Sequence, residues 1–225
     1  MKGNVTASLV VKDFQLNSLV TILTIAGAAI ALAILSIGGE TPIVIGTVFF
    51  FLAIIFGACF IPMQNIVNEQ KKQTLPFIMS LPVSSAQYGV AKFLSSVGMF
   101  LAMWLILLGA GLYMILVRHV LPVGVIPMDL ILMNWPLIGF CLTTGAALVG
   151  ESEGWATAAL ATTNSCYGLA YYILLRHAPS LTKTWGGPVA VWSPAVFKIL
   201  SGELGIILLT LGLTVFLQSR KRSFI

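Results

Sequence analysis

Apolar residues in this chain run in long unbroken stretches instead of alternating with polar ones, and that pattern predicts membrane-spanning helices. A helix needs ~20 mainly apolar residues to cross the hydrocarbon. Six stretches qualify: Leu19–Ile37, Ile43–Met63, Val90–Val117, Leu130–Gly150, Trp155–Leu175 and Ile199–Gln218. The third is long enough to start outside the hydrocarbon or to tilt. Closed barrels alternate polar and apolar positions, which these runs do not. The expectation is an all-α polytopic fold with six transmembrane helices, built as one transmembrane domain over residues 1–225.

Three segments break the pattern. Before the first span, Val5, Leu9 and Leu16 can share a helical face with Val10 and Phe14 nearby, while Lys2, Lys12 and Asp13 fall on the wet side. This predicts an amphipathic surface helix over residues 1–17. Between the second and third spans, residues 65–89 hold Glu69, Lys71 and Lys72, two prolines and a short apolar stretch. Hydrocarbon rejects such charges, and Pro76 and Pro82 confine any helix there to short pieces. Residues 176–198 form the third break, with Gly186-Gly187, three prolines and two tryptophans suited to the headgroup level. Within it, Ala195–Leu200 reads as a short helix dipping back before the last span, which makes the segment re-entrant.

Composition agrees: 58% of residues are hydrophobic and 8% charged, where a soluble domain carries about 25% charged. Mean hydropathy is +1.01. The net charge of +5 sets membrane orientation, and no basic patch interleaved with exposed aromatics points to nucleic acid. With the termini inside, Lys2, Lys12, Lys71, Lys72, Lys92, Arg220, Lys221 and Arg222 are cytoplasmic. Arg118, Arg176, Lys183 and Lys198 are then outside. This bias places both termini and the 65–89 segment in the cytoplasm of a multi-pass protein of the cell's inner (plasma) membrane. No small-residue cleavage site ends the first apolar run, so no signal peptide is expected.

Catalytic chemistry is sparse. His119 and His177 fall in outer connections without a partner at metal-ligating spacing, so no metal is expected. Neither a GxSxG elbow nor a GxxxxGK[ST] phosphate loop occurs. Cys59, Cys141 and Cys166 lie inside apolar runs and read as packing residues. Glu151 and Glu153 read as a solvated helix start. Glu203 lies in the last span, where it faces a path or partner if buried, or water if near the outer interface. Lys198, five residues earlier, is on a different helical face. Asn164, Ser165 and Tyr167 form a polar band in the fifth span, fit for holding helices together or for touching a solute. The candidate translocation path is therefore Asn164, Tyr167 and Glu203.

The loop carries a more specific pattern. Glu69, Thr74-Leu75, Ser80-Leu81-Pro82-Val83-Ser84, Tyr88 and Ala91-Lys92 resemble the permeases of ATP-binding-cassette exporters of type 2. Gln73 and Ser85 depart from that pattern, standing where glycine and arginine are common. The resemblance implies a cytoplasmic coupling helix between spans two and three. Its ATPase-coupling residues would be Glu69, Thr74, Leu75, Ile78, Met79, Leu81, Pro82, Val83 and Ser84. Leu75, Ile78, Met79 and Leu81 would be apolar anchors in an ATPase groove, with Glu69 and the lysines at the rim. It further implies a homodimer of permeases in a 2+2 complex with an ATP-binding-cassette ATPase subunit, exporting an amphipathic or hydrophobic solute such as a peptide, drug or lipid. This chain would bind no cofactor, ATP and Mg residing on the partner. The alternative is a self-contained six-span scaffold or intramembrane enzyme without an ATPase.

Because no phosphate-cradling loop is present, the purified chain alone is expected neither to bind nor to hydrolyse ATP. Saturable ATP turnover by the isolated subunit would contradict this.

Overall fold

The computed structural model describes residues 5–71, 85–150, 152–177 and 185–220, which are helical apart from short connections and contain no strand. The helices are α1 (Val5–Leu16), α2 (Ser18–Leu35), α3 (Glu40–Pro62), α4 (Asn68–Lys71), α5 (Ser85–Leu116), α6 (Ile126–Gly150), α7 (Glu153–His177) and α8 (Pro194–Arg220). A π-turn, Met63–Val67, joins α3 to α4. Among the described residues five helices are long and apolar enough to cross a membrane: Ser18–Leu35, Glu40–Val67, Tyr88–Leu116, Val123–Gly150 and Pro194–Arg220. The fifth expected span is present as α7, 25 residues long, but Thr157, Thr162, Thr163, Asn164 and Ser165 dilute its apolar content.

Two local expectations change. Ala195–Leu200 is not a separate dipping piece; it continues without a break into the last helix. The N-terminal helix buries a residue expected on its wet side, Asp13. Leu9, Asp13 and Asn17 are buried, whereas Val11, Phe14 and Leu16 are exposed. Spacing of four residues puts the buried three on one face, and that face packs on α5.

The bundle is organised around α6. In its apolar window 56% of residues are buried, against at most 33% in the other four spans. It touches α3, α5, α7 and α8. Phe140 of α6 stacks on Phe100 of α5 with ring centroids 4.3 Å apart. Pro136 lies inside α6, and its missing N–H leaves the Leu132 carbonyl without its helical donor. One residue on, the Met133 carbonyl accepts a 2.7 Å bond from the Trp104 indole of α5. The outward faces of α2, α3 and α8 keep large apolar side chains exposed, among them Ile30, Phe49 and Leu208. In a membrane these faces meet lipid.

The α2–α3 hairpin depends on glycine at two places. Gly38 and Gly39 take φ of +78° and +86° in the reversal, a region costly for residues with a Cβ. Seven positions later, Gly46 lies so close to α2 that a Cβ would stand 2.9 Å from the Ala31 carbonyl and 2.8 Å from the Leu35 nitrogen. Backbone atoms cannot swing aside. Gly46→Ala is therefore expected to cost about 1–3 kcal/mol through overpacking, read as a lowered unfolding midpoint in detergent. Gly98→Ala, where nothing lies within 4 Å, should leave the midpoint unchanged or slightly raised.

Candidate functional site

The polar residues of the bundle collect at the end that carries the loop between the second and third spans. Lys92, on α5, is 1% exposed. Its ammonium donates to Asp13 Oδ1 at 2.6 Å and lies 2.9 Å from Glu69 Oε2. Lys12 donates to the other Glu69 oxygen at 2.8 Å, and the Tyr88 hydroxyl donates to Oε2 at 2.9 Å. Ser95 Oγ donates to Asp13 Oδ2 at 2.8 Å. Two ammonium groups thus face two carboxylates contributed by α1, α4 and α5.

A neutral layer lies directly against this charged one. The Asn65 amide donates to Ser96 Oγ at 2.8 Å and Ser95 Oγ at 3.2 Å, and its oxygen accepts from Asn17 at 3.0 Å. Asn17, Asn65, Ser95 and Ser96 are all fully buried. From Ser95 to Leu116, α5 climbs about 32 Å, the full hydrocarbon thickness, so the cluster sits at one membrane boundary. Charges are tolerated there only when paired.

Burial alone would raise the Glu69 carboxyl. The charges and hydrogen bonds of Lys92 and Lys12 outweigh it and hold the group below the usual carboxylate range.

Several expected positions need correction. Asp13, placed on the wet side by the sequence pattern, is fully buried, whereas Lys12 keeps its expected exposure, at 45%, while pairing with Glu69. Glu69, expected at a solvated rim, is 7% exposed, because the lysines turn it inward. Thr74, Leu75, Ile78, Met79, Leu81, Pro82, Val83 and Ser84 lie outside the described residues. What the structure shows of the loop between the second and third spans is its two roots, residues 65–71 and 85–96, fastened to each other and to α1. Sequence reading missed Asp13, Asn17, Asn65, Lys92, Ser95 and Ser96. The signal was present in the spacing, with polar residues at i and i+4 from Asp13 to Asn17 just past the end of α1, and at i, i+3 and i+4 in α5.

The three path residues separate into two places. Asn164 lines a small open cleft between α3, α6 and α7, together with Cys59, Trp135, Gly139 and Thr163. Asn164 bonds its own helix at Leu160 and lies 3.6 Å from Cys59 Sγ. Tyr167 stands beside the cleft, its ring 6.1 Å from that of Trp135, whose indole donates to the Thr163 carbonyl. Glu203 is elsewhere, between α8 and α6, accepting a 3.1 Å bond from Asn134. At 6% exposure it is not solvated. It lies about 14 Å along α8 from Pro194, nearly half a bilayer core. Of the three cysteines Cys141 is buried and Cys59 lies at the cleft, but Cys166 is exposed on α7 and is no packing residue within this chain. Among the described residues no cluster of His, Cys, Asp or Glu could hold a metal.

Taken together, the molecule is a multi-pass helical membrane protein whose interspan loop is rooted in a buried charge cluster. A family model described as ABC-2 family transporter protein matches residues 8–147, well over half of the chain. The chain belongs to that family, as a membrane permease and not a catalytic subunit. The matched region holds the whole cluster and stops before α7 and α8. Comparisons with curated proteins and with solved structures gave no match.

Because the folded Glu69 value is depressed, its contribution to stability is complete above the unfolded value. It disappears as pH falls through the folded one. The stability gap between the native chain and Glu69→Gln should therefore be full at neutral pH. It should begin to shrink near pH ~4.5 and close below the lowered folded value, as read from detergent unfolding curves at stepped pH.

Proposed function

We propose that this chain is the membrane-spanning subunit of an ATP-driven exporter, working as a homodimer with two copies of a separate ATP-binding-cassette ATPase that carries ATP and Mg. The observation that carries this reading is the buried cluster at the loop roots. An interspan loop that only rested on lipid would not need both ends and α1 tied by two ion-paired lysines. A loop that receives force does, because a slack root absorbs motion before it reaches the spans.

In this reading all six long helices α2, α3, α5, α6, α7 and α8 span the plasma membrane, with both termini and the 65–89 loop in the cytoplasm and α1 at the inner surface. Leu75, Ile78, Met79 and Leu81 seat in the ATPase, flanked by Thr74, Pro82, Val83 and Ser84. Glu69 acts from the root, not from the rim. The solute is amphipathic or hydrophobic and moves along the cleft of Asn164 and Tyr167. A second copy covers the face of α7 that exposes Thr162, Asn164 and Ser165, since hydrocarbon is a poor environment for such a band. Glu203 is assigned to the outer part of the path, through its hold on Asn134.

Two substitutions separate this from a self-contained scaffold or enzyme. Met79→Asp with Leu81→Asp should abolish co-purification of the ATPase while the chain still inserts; full recovery of the ATPase would overturn the coupling assignment. Lys92→Met takes the lysine from the buried Asp13 and one of two lysines from Glu69, and should cost about 3–5 kcal/mol of stability. In complexes that still assemble, it should leave ATP hydrolysis running but reduce vesicle transport at least tenfold. Equal transport by the variant would remove the cluster from the coupling route.

A further inference from the structure

The helix that leads into the loop changes its winding at the level of Asn65. Pro62 lies inside the helix end, and the next amide, Met63 N–H, bonds back only three residues to the Phe60 carbonyl. Five residues later the winding is looser, the Asn68 N–H reaching the Met63 carbonyl. The π-turn Met63–Val67 therefore holds one residue more than an α-turn spanning the same rise. Such a turn is destabilising by itself and persists where side chains outside the helix hold it. Asn65 lies in the middle of it, fully buried, bonded on one side to Asn17 at the head of α2 and on the other to Ser95 and Ser96 of α5.

We infer that the π-turn is a movable joint between the second span and the loop, and that Asn65 is the positioning residue that sets its register. This rests on the permease reading. With Asn65 engaged, the extra residue stays in the turn and Glu69, four positions on, points into the Lys12–Lys92 pair. When the loop is pulled, Asn65 lets go of Asn17, Ser95 and Ser96, and the turn relaxes to α-helical winding. One residue of slip rotates the helix beyond the turn by about 100° and shifts it about 1.5 Å along the axis. That movement swings Glu69 out of the cluster and frees α1 from α4 without melting either helix. The ion pairs supply the hold, and the π-turn supplies the stroke.

The test uses the full complex in lipid vesicles, with spin labels at Gln15 on α1 and at Asn68 just beyond the turn. Association of the ATPase with the labelled, otherwise unaltered chain is measured first, then the label distance without nucleotide and with ATP trapped by vanadate. The expected result is a distance that shifts by several Å on trapping. Asn65→Ala should show both distances already without nucleotide, while Asn65→Gln, which keeps the amide, should restore a single one. Deleting Gln64 removes the extra residue and should give one distance in both states, with ATP hydrolysis continuing. If ATP is hydrolysed and the unaltered complex shows no shift, or if Asn65→Ala matches it, the joint is wrong while the permease reading stands. If no ATPase associates at all, the permease reading falls and the joint falls with it.

Discussion

A lysine buried at a membrane boundary constrains everything around it, and Lys92 is that residue here. Alone, its ammonium would lose several kcal/mol of hydration with nothing in return. With Asp13 at 2.6 Å and Glu69 at 2.9 Å it becomes tolerable, but only if α1 and α4 are both brought to α5. The hydrophobic effect cannot do this inside lipid, where tails are as apolar as leucine and helix association relies on packing and polar bonds. The cluster therefore defines which helices meet at this end, and the neutral layer of Asn17, Asn65, Ser95 and Ser96 sets their rotation. Such pairs add little net stability compared with an apolar core of equal volume. Their contribution here is specificity, because a rotated α1 would leave Asp13 without its cation.

At the centre of the bundle a different means is used. Around α6 the helices are held by shape: stacked Phe100 and Phe140, and indole bonds from Trp104 and Trp135 to main-chain carbonyls. Indole donors reach carbonyls on neighbouring helices without introducing charge, which suits the middle of a bilayer. Glu203 breaks this economy, and Asn134 answers it from α6. Since Asn134 and Trp135 are successive residues, they face different sides of one helix. That is why the predicted path residues divide, with Glu203 toward α8 and Asn164 and Tyr167 toward α7.

The long apolar runs made the helices legible, because ~20-residue stretches leave few alternatives. Five of the six stretches stand as helices that are long and apolar enough to cross, and the sixth as a more polar helix. In α1 the surface-helix pattern misplaced Asp13, because a charged side chain was assigned to water when a buried lysine was there to pair it. In a membrane the rule turns over: Val11 and Phe14 face out and Asp13 faces in. The continuity of α8 through Ala195–Leu200 was hidden by the proline and tryptophans before it, which signal a break only up to Pro194. Depth was unreadable for Glu203, since sequence gives position along a helix but not the neighbour that covers it. The cleft was half legible: Asn164 and Tyr167 stood out as polar, while Trp135 and Cys59 belong to other runs and meet them only in the fold.

The cluster and the cleft are not independent, because α3 serves both. Cys59 borders the cleft and Asn65 belongs to the cluster, six residues and about 9 Å of helix apart. Pro62 and the start of the π-turn lie between them. A stiff rod would carry any displacement of the loop directly into the cleft wall at Cys59. A helix with a yielding turn at that level instead converts part of the displacement into rotation below the turn. While Asn65 holds Asn17, Ser95 and Ser96, the second span is tied to the first and third at that level. Asn17 and Ser95 therefore bear on when a displacement of the loop reaches the cleft wall, as the loop's own helix does, because their grip on Asn65 must give before the turn can.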